Sequence, residues 1–458
     1  MRRGLVAALA VVLVLVLGGW LLVRHMLAPE LVRSTIEQQL GERLGQPVHI
    51  ASATASIFPR VGVNLHDVAI GAPPAVSLAR VELHTGLRAL LSHRIANAEV
   101  VLADGRIPWP LPFPLAAPSS GGSGTAAVTI TSISRIALQN ITIASSLPPL
   151  TVNLDAALHG DRVDIGQLSA QSGKTRLQAT GTIDSVSRMK GTLAVKGTLE
   201  AAGYDATALS ASVALASDSF TLAPLSFDTL GGRFKGRLAA DLRGAAPALQ
   251  LAGDVSGIDV TQAMQRSGAA GGITGTLGGQ IRIAASGTDG AALLRSAHGN
   301  LNVEITNGTI PHLDLVRTVV LAFGKPAGAV PAGSGSGFES LGGPLVLANR
   351  TLSSDRLTLR SRDVDMIADA RLRLDTGAVD GRVNVVLSRD LTAQAGTDLR
   401  RYASQNGRVI VPVTIAGTLG QPTVFVDPAA AAQRALENEL QRRLGGLLGG
   451  LIKKKGGE

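Results

Sequence analysis

The sequence predicts a mainly β protein with a few helices, set behind an N-terminal transmembrane helix. Three observations predict it. Apolar and polar residues alternate through much of the chain, as in Leu301, Val303 and Ile305 interleaved with Asn302, Glu304 and Thr306, which is the period of a strand with one dry face. Glycine-centred breaks recur between such runs, a sign of antiparallel meanders. One segment, Gly4 to Val23, runs for twenty positions without a charge.

That segment comes first. At 1.5 Å per residue it spans a hydrocarbon core of ~30 Å. Ten Leu or Val fall between Leu5 and Leu17, and at ~0.3–0.6 kcal/mol each near the bilayer centre they favour insertion by roughly 3–6 kcal/mol. Leu5, Leu9, Leu13, Leu17 and the interfacial Trp20 are the expected anchor residues. A cleaved signal peptide would have a shorter apolar run and a small-x-small site, whereas Val23, Arg24, His25 and Met26 follow here. The three-residue leader is expected to stay in the cytoplasm and the remainder to be exported, although Arg2 and Arg3 oppose Arg24 and Arg33.

Pro29 to Leu44 reads as a helix, with Val32, Ile36, Leu40 and Leu44 on one line, Pro29 suited to its start and Gly45 with Pro47 ending it. Strand patterns follow: Val61, Val63 and Leu65; Ile281 with Ile283; Leu372 with Leu374; Val424 with Val426. The tripeptides at Gly181, Gly191, Gly197, Gly275, Gly308 and Gly417, each glycine followed by threonine and an aliphatic residue, are read as turns that begin or end these runs. Two further helices are expected. One carries Val316, Val319, Val320 and Phe323; the other is capped by Asp427 and Pro428 and lines up Leu436, Leu440 and Leu444. The second is expected to dock on the β-core, with a membrane contact as the alternative. Residues 108–118, with five prolines, and 326–337 read as loops.

Composition narrows the function. Apolar residues are 45% and charged ones 17%, which excludes a disordered chain. The absence of cysteine removes disulfides, thiolate metal sites and cysteine nucleophiles. Aromatics at 3% leave too few rings for stacking sugars or bases. The net charge of +9 is dispersed apart from Lys453, Lys454 and Lys455, so nucleic acid is not an expected partner. No histidine spacing forms a compact metal site. Ser172-Gly173-Lys174-Thr175 lacks the first glycine of a phosphate-binding loop, since position 168 is Leu168. Asp363, Asp365 and Asp369 lack the glycine and closing Glu of a calcium loop. No catalytic, metal or cofactor-binding residue is therefore assigned, and the protein is not expected to be an enzyme.

The order of elements is more specific. Leu40-Gly41-Glu42-Arg43-Leu44-Gly45-Gln46-Pro47-Val48-His49-Ile50 follows the anchor, then Val63-Asn64-Leu65-His66-Asp67-Val68-Ala69-Ile70 and Leu78-Ala79-Arg80-Val81-Glu82-Leu83. Towards the other end come Gly299 to Ile310, Leu313-Asp314-Leu315, Asn349-Arg350-Thr351-Leu352, Val411 to Leu419 and Pro422-Thr423-Val424. This succession resembles the AsmA family at both ends, and in the middle through its β-meander character.

The resemblance implies an elongated, curved antiparallel β-sheet, groove-like, with short flanking helices, related to bridge-like, chorein-type lipid-transfer proteins. It divides the chain into a tail (1–3), the anchor (4–23), an AsmA-like N-terminal region (24–115), a linker (116–126), a middle meander (127–298), an AsmA-like C-terminal domain (299–427) and a basic amphipathic helix (428–458). It implies a single-pass bacterial inner-membrane protein with its bulk in the periplasm, supporting outer-membrane biogenesis by binding or moving phospholipid. Acyl chains and the inner membrane are the expected partners, with outer-membrane assembly proteins as further candidates and no cofactor. The alternative is a scaffold that modulates outer-membrane protein assembly without carrying lipid. Val303, Ile305, Leu372, Leu374, Val411 and Val413 are the expected groove-lining residues.

Overall fold

The computed structural model describes residues 29–109, 129–311 and 335–440 apart from short breaks, the longest at 86–93. The anchor residues Leu5, Leu9, Leu13, Leu17 and Trp20, and the helix expected around 316–323, lie outside the described residues. Among the described residues no helix is long and apolar enough to cross a membrane. The chain divides into two units, residues 1–199 with 213–217 and residues 200–212 with 218–458.

The first unit opens with helix α1 (Pro29–Leu44), with the expected bounds. The Glu37 carboxylate accepts a hydrogen bond from the Ile50 backbone N–H at 2.7 Å, tying the helix to the first strand. Strands β1 (Val48–Ser56), β2 (Val61–Ile70) and β3 (Val76–Thr85) form an antiparallel meander. The short strands β4 (Arg94–Ile95) and β6 (Thr129–Ile130) pair in parallel. Between and after them come β5 (Ala98–Pro108), β7 (Ile133–Ala144), β8 (Leu150–His159), β9 (Arg162–Ser172), β10 (Thr175–Ser185) and β11 (Lys190–Ala201). One junction departs from the expected antiparallel sheet: β5 and β7 run parallel. The proline-rich segment between them is long enough to return the chain to the same end of the sheet, which a tight turn cannot do.

The second unit holds residues 204–212 of β12 (Tyr204–Ala216), then β13 (Ser219–Thr229), β14 (Gly232–Asp241), β15 (Ala248–Asp259), helix α2 (Val260–Arg266), β16 (Thr276–Ser286), helix α3 (Gly290–Ser296), β17 (His298–Pro311), β18 (Gly335–Ala348), β19 (Thr351–Arg360), β20 (Val364–Arg373), β21 (Val379–Leu387), helix α4 (Arg389–Gln394), β22 (Ser404–Gln405), β23 (Arg408–Thr418) and β24 (Gln421–Val426). From β13 to β21, then β23 and β24, each strand pairs antiparallel with the next.

The glycine punctuation marks strand ends only in part: Gly191, Gly275 and Gly417 lie at or beside the ends of β11, β16 and β23, but the other three do not. Gly181, Gly197 and Gly308 lie inside β10, β11 and β17. The strands run longer than the pattern implied, and these glycines serve close backbone or side-chain approach. The reversals sit instead at Gly173, at Leu230-Gly231, at Asn349-Arg350 and at Asn406-Gly407, all with positive φ, the conformation of tight hairpins. Ser172-Gly173-Lys174-Thr175 is thus the β9–β10 hairpin.

Two more expectations change. Leu374 lies one residue past β20, 41% exposed, with its N–H bonded to Arg350 O at 2.8 Å. The chain is already turning there, through Gly377 at φ +67°. After β24, Asp427 does cap the last helix, accepting from Ala430 N at 3.0 Å. Of its leucines, Leu436 and Leu440 do not dock, at 62% and 51% exposed; Leu444 lies outside the described residues. Asn438, on another face, donates to Ser404 O at 3.2 Å, and that contact turns the leucine line outward.

Candidate functional site

Register decides which side chains share a face, because residues directly opposite on paired strands point the same way. In the second unit Phe227 faces Phe234, which faces Val255, which faces Gly279, Val303 and Gly343 in turn. One row along, Leu222, Leu238, Leu251, Ile283 and Gly299 are opposite one another. Leu277, Ile305, Leu341, Leu359, Met366, Val385 and Val411 form a third row. These rows carry no charged or polar side chain. The opposite face holds Lys235, Asp254, Gln280, Asn302 and Glu304. The first unit repeats the arrangement: Ile50, Val68 and Leu78 are opposite one another, as are Leu102, Leu138, Leu154 and Leu168.

Strict alternation does not survive along every strand, and left-handed residues correct the phase. Asn307 at φ +51° lets Ile305 and Gly308, three apart, stay on the dry side. Asp67, Asp104 and Asn140 do the same in β2, β5 and β7. Short polar side chains tolerate that conformation because they bond locally: Asn140 Nδ2 donates to Asp104 Oδ1 at 2.8 Å, and Asn140 N donates to Asn153 Oδ1 at 2.7 Å. Glycine supplies the remaining freedom. A Cβ on Gly308 would lie 2.2 Å from the Phe338 ring, so that ring needs the bare backbone beneath it. Gly279, at φ +136°, would place a Cβ 2.2 Å from Asn302 O.

Coverage of the apolar face varies along the second unit. At β20 to β23 it is sealed: Val385, Val409, Val411 and Val413 are at most 1% exposed. Helix α4 contributes to that cover, since Leu391 packs on this cluster and Thr392 Oγ1 accepts from Val409 N at 3.2 Å. Across β13 to β17 cover is incomplete. Leu222, Leu238, Leu251, Ile281, Leu301, Val303 and Ile305 are half-buried, and only Ala211, Leu225 and Phe234 reach full burial in the local cluster. Phe227 and Phe234 stack with ring centroids 5.1 Å apart at its edge.

The structure therefore places Val303, Ile305, Leu372, Val411 and Val413 on one face, with Leu374 beyond it. Val411 and Val413 sit in the sealed part and Val303 and Ile305 in the uncovered part. The stretch β13 to β15 is absent from the expected lining. Its alternation is interrupted where Gly236 and Gly253 occupy apolar-face positions, and a glycine carries no hydropathy signal.

The polar face is stabilised by ion pairs and hydroxyls rather than arranged for chemistry. Arg135 forks onto Asp155 at 2.8 Å on both bonds, raising the guanidinium pKa and lowering the carboxyl. Asp161 is lowered to about 2 by hydrogen bonds from Ser185, first, and from the Ser187 backbone and hydroxyl. Arg408 reaches Asp365 at 2.8 Å and Leu387 O at 2.7 Å, bracing β23 against β20 and β21. No group of metal-ligating side chains occurs among the described residues.

A family model described as AsmA family matches residues 136–325. That span covers most of the meander and the Gly299–Ile310 motif rather than the two ends. No curated protein and no solved structure matches the chain.

Proposed function

We propose, from the match of residues 136–325 to the AsmA family model, that the chain is a membrane-anchored member of that family whose apolar β-face receives phospholipid acyl chains. In this reading it sits in a bacterial inner membrane through Gly4 to Val23, exposes its sheet to the periplasm, and supports outer-membrane biogenesis. One observation carries the reading: the face of β13 to β17 is free of charge and only half-covered. Such a surface is unfavourable in water, and each methylene it takes up contributes ~0.8 kcal/mol.

The test is a photo-reactive side chain placed at Val303 or at Asn302 in the full chain, cross-linked in native membranes and analysed by mass spectrometry. Lipid adducts at 303 and none at 302 are expected. Adducts at neither position, in a folded protein, would remove the lipid reading and leave a scaffold. Reporter fusions at the two ends of the chain test the orientation separately: a periplasmic C-terminus is expected, and a cytoplasmic one overturns the topology.

A further inference from the structure

On the polar face of the second unit a cleft of about 780 Å³ opens beside the Leu230-Gly231 turn, between β12, β13, β14, β15 and α2. It contains three carboxylates, Asp205, Asp228 and Asp254, and three cations, Arg233, Lys235 and Arg266. They are not equivalent. Arg233 forks onto Asp228, holding both side chains and lowering the carboxyl. Arg266 donates to Gly203 O, with Asp205 at 3.8 Å. Lys235 and Asp254 stand directly opposite each other on β14 and β15, yet neither has a hydrogen-bond or ion-pair partner among the described residues.

We propose that this cleft binds a zwitterion, its anionic group on Lys235 and its ammonium on Asp254. Cross-strand neighbours of this kind have Cβ atoms ~5 Å apart, so a small molecule with linked opposite charges can span them. The competing direct pair is exposed and contributes little, so it does not close the site. The fork on Asp228 occupies Arg233, and Asp205 lies against Arg266, which leaves Lys235 and Asp254 as the cleft's unpartnered cation and carboxylate. The glycines of its wall serve the backbone: Gly231 and Gly257 have positive φ, and Gly232 packs directly against the Gly257 backbone. A phosphate ester bearing an amine carries these two charges, whether as a lipid headgroup or as a free solute. It does not depend on the acyl-chain reading, because Lys235 and Asp254 point to the face opposite Phe234 and Val255.

The test measures binding of phosphoethanolamine, inorganic phosphate and ethanolamine to the full chain by equilibrium dialysis. Phosphoethanolamine is expected to bind more tightly than either half. Lys235→Ala and Asp254→Asn should each weaken it by about tenfold, and the double swap Lys235→Asp with Asp254→Lys should recover much of the loss. Competition by phosphatidylethanolamine vesicles would assign the site to a headgroup; binding that such vesicles leave untouched would assign it to a solute. Equal binding of phosphate and phosphoethanolamine with no effect of Asp254→Asn would overturn the proposal, as would no binding at all. Val303→Asp, on the other face, should leave this binding unchanged, so failure here is distinguishable from failure of the lipid reading.

Discussion

Single residues set the phase of the apolar face. Asn307 is the clearest: without a left-handed residue between them, Ile305 and Gly308 could not share a side, and the Phe338 ring would lose its place over Gly308. Asn307→Val is expected to destabilise the second unit by ~1–2 kcal/mol, whereas Asn307→Gly should be nearly neutral; urea unfolding of the two variants checks this, and equal effects would contradict the role. Asp161 supplies a pH dependence. Its carboxyl is depressed from 3.8 to about 2 by Ser185 and Ser187, so its contribution is fully present above about pH 4 and is lost as pH falls towards 2. Thermal midpoints recorded across that window should fall less steeply for Asp161→Asn, which already lacks the charge at neutral pH.

At the scale of elements, two parts of one apolar face have different surroundings. Val411 is sealed beneath α4 and neighbouring side chains, while Val303 lies on half-covered sheet. Val411→Ala is expected to cost ~2–3 kcal/mol, the lost transfer energy plus a cavity. Val303→Ala should cost under ~1 kcal/mol, because no enclosed cavity forms. Matched denaturation curves decide the point, and equal costs would mean that both positions are roofed. Helix α4 contributes its own bond: Thr392→Val leaves Val409 N without its acceptor, for a loss of ~1–3 kcal/mol.

For the whole molecule, the two units present the same local rule, one dry face and one wet face on each pleated sheet. Charge placed on the dry side should abolish cross-linking to lipid: Val303→Asp, with the photo-reactive group moved to Ile305, is expected to lose adducts, and Asn302→Asp to keep them. Retained adducts in Val303→Asp would contradict the register argument.

Alternation made the β class, the register of Val303, Ile305, Leu372, Val411 and Val413, and the bounds of α1 legible from residues alone, because each rests on a local period. Leu374 escaped, since a period does not reveal where Gly377 turns the chain. Gly181, Gly197 and Gly308 were misread for the converse reason: a glycine marks conformational freedom without saying whether a turn or a neighbouring strand needs it. The lining at β13 to β15 was hidden where Gly236 and Gly253 replaced apolar residues. Which stretch of the face is sealed and which is open, and which cation of the polar cleft lacks a carboxylate, were decided only by tertiary structure. Those properties depend on what lies across the strand or above the sheet, and residues distant in sequence supply it.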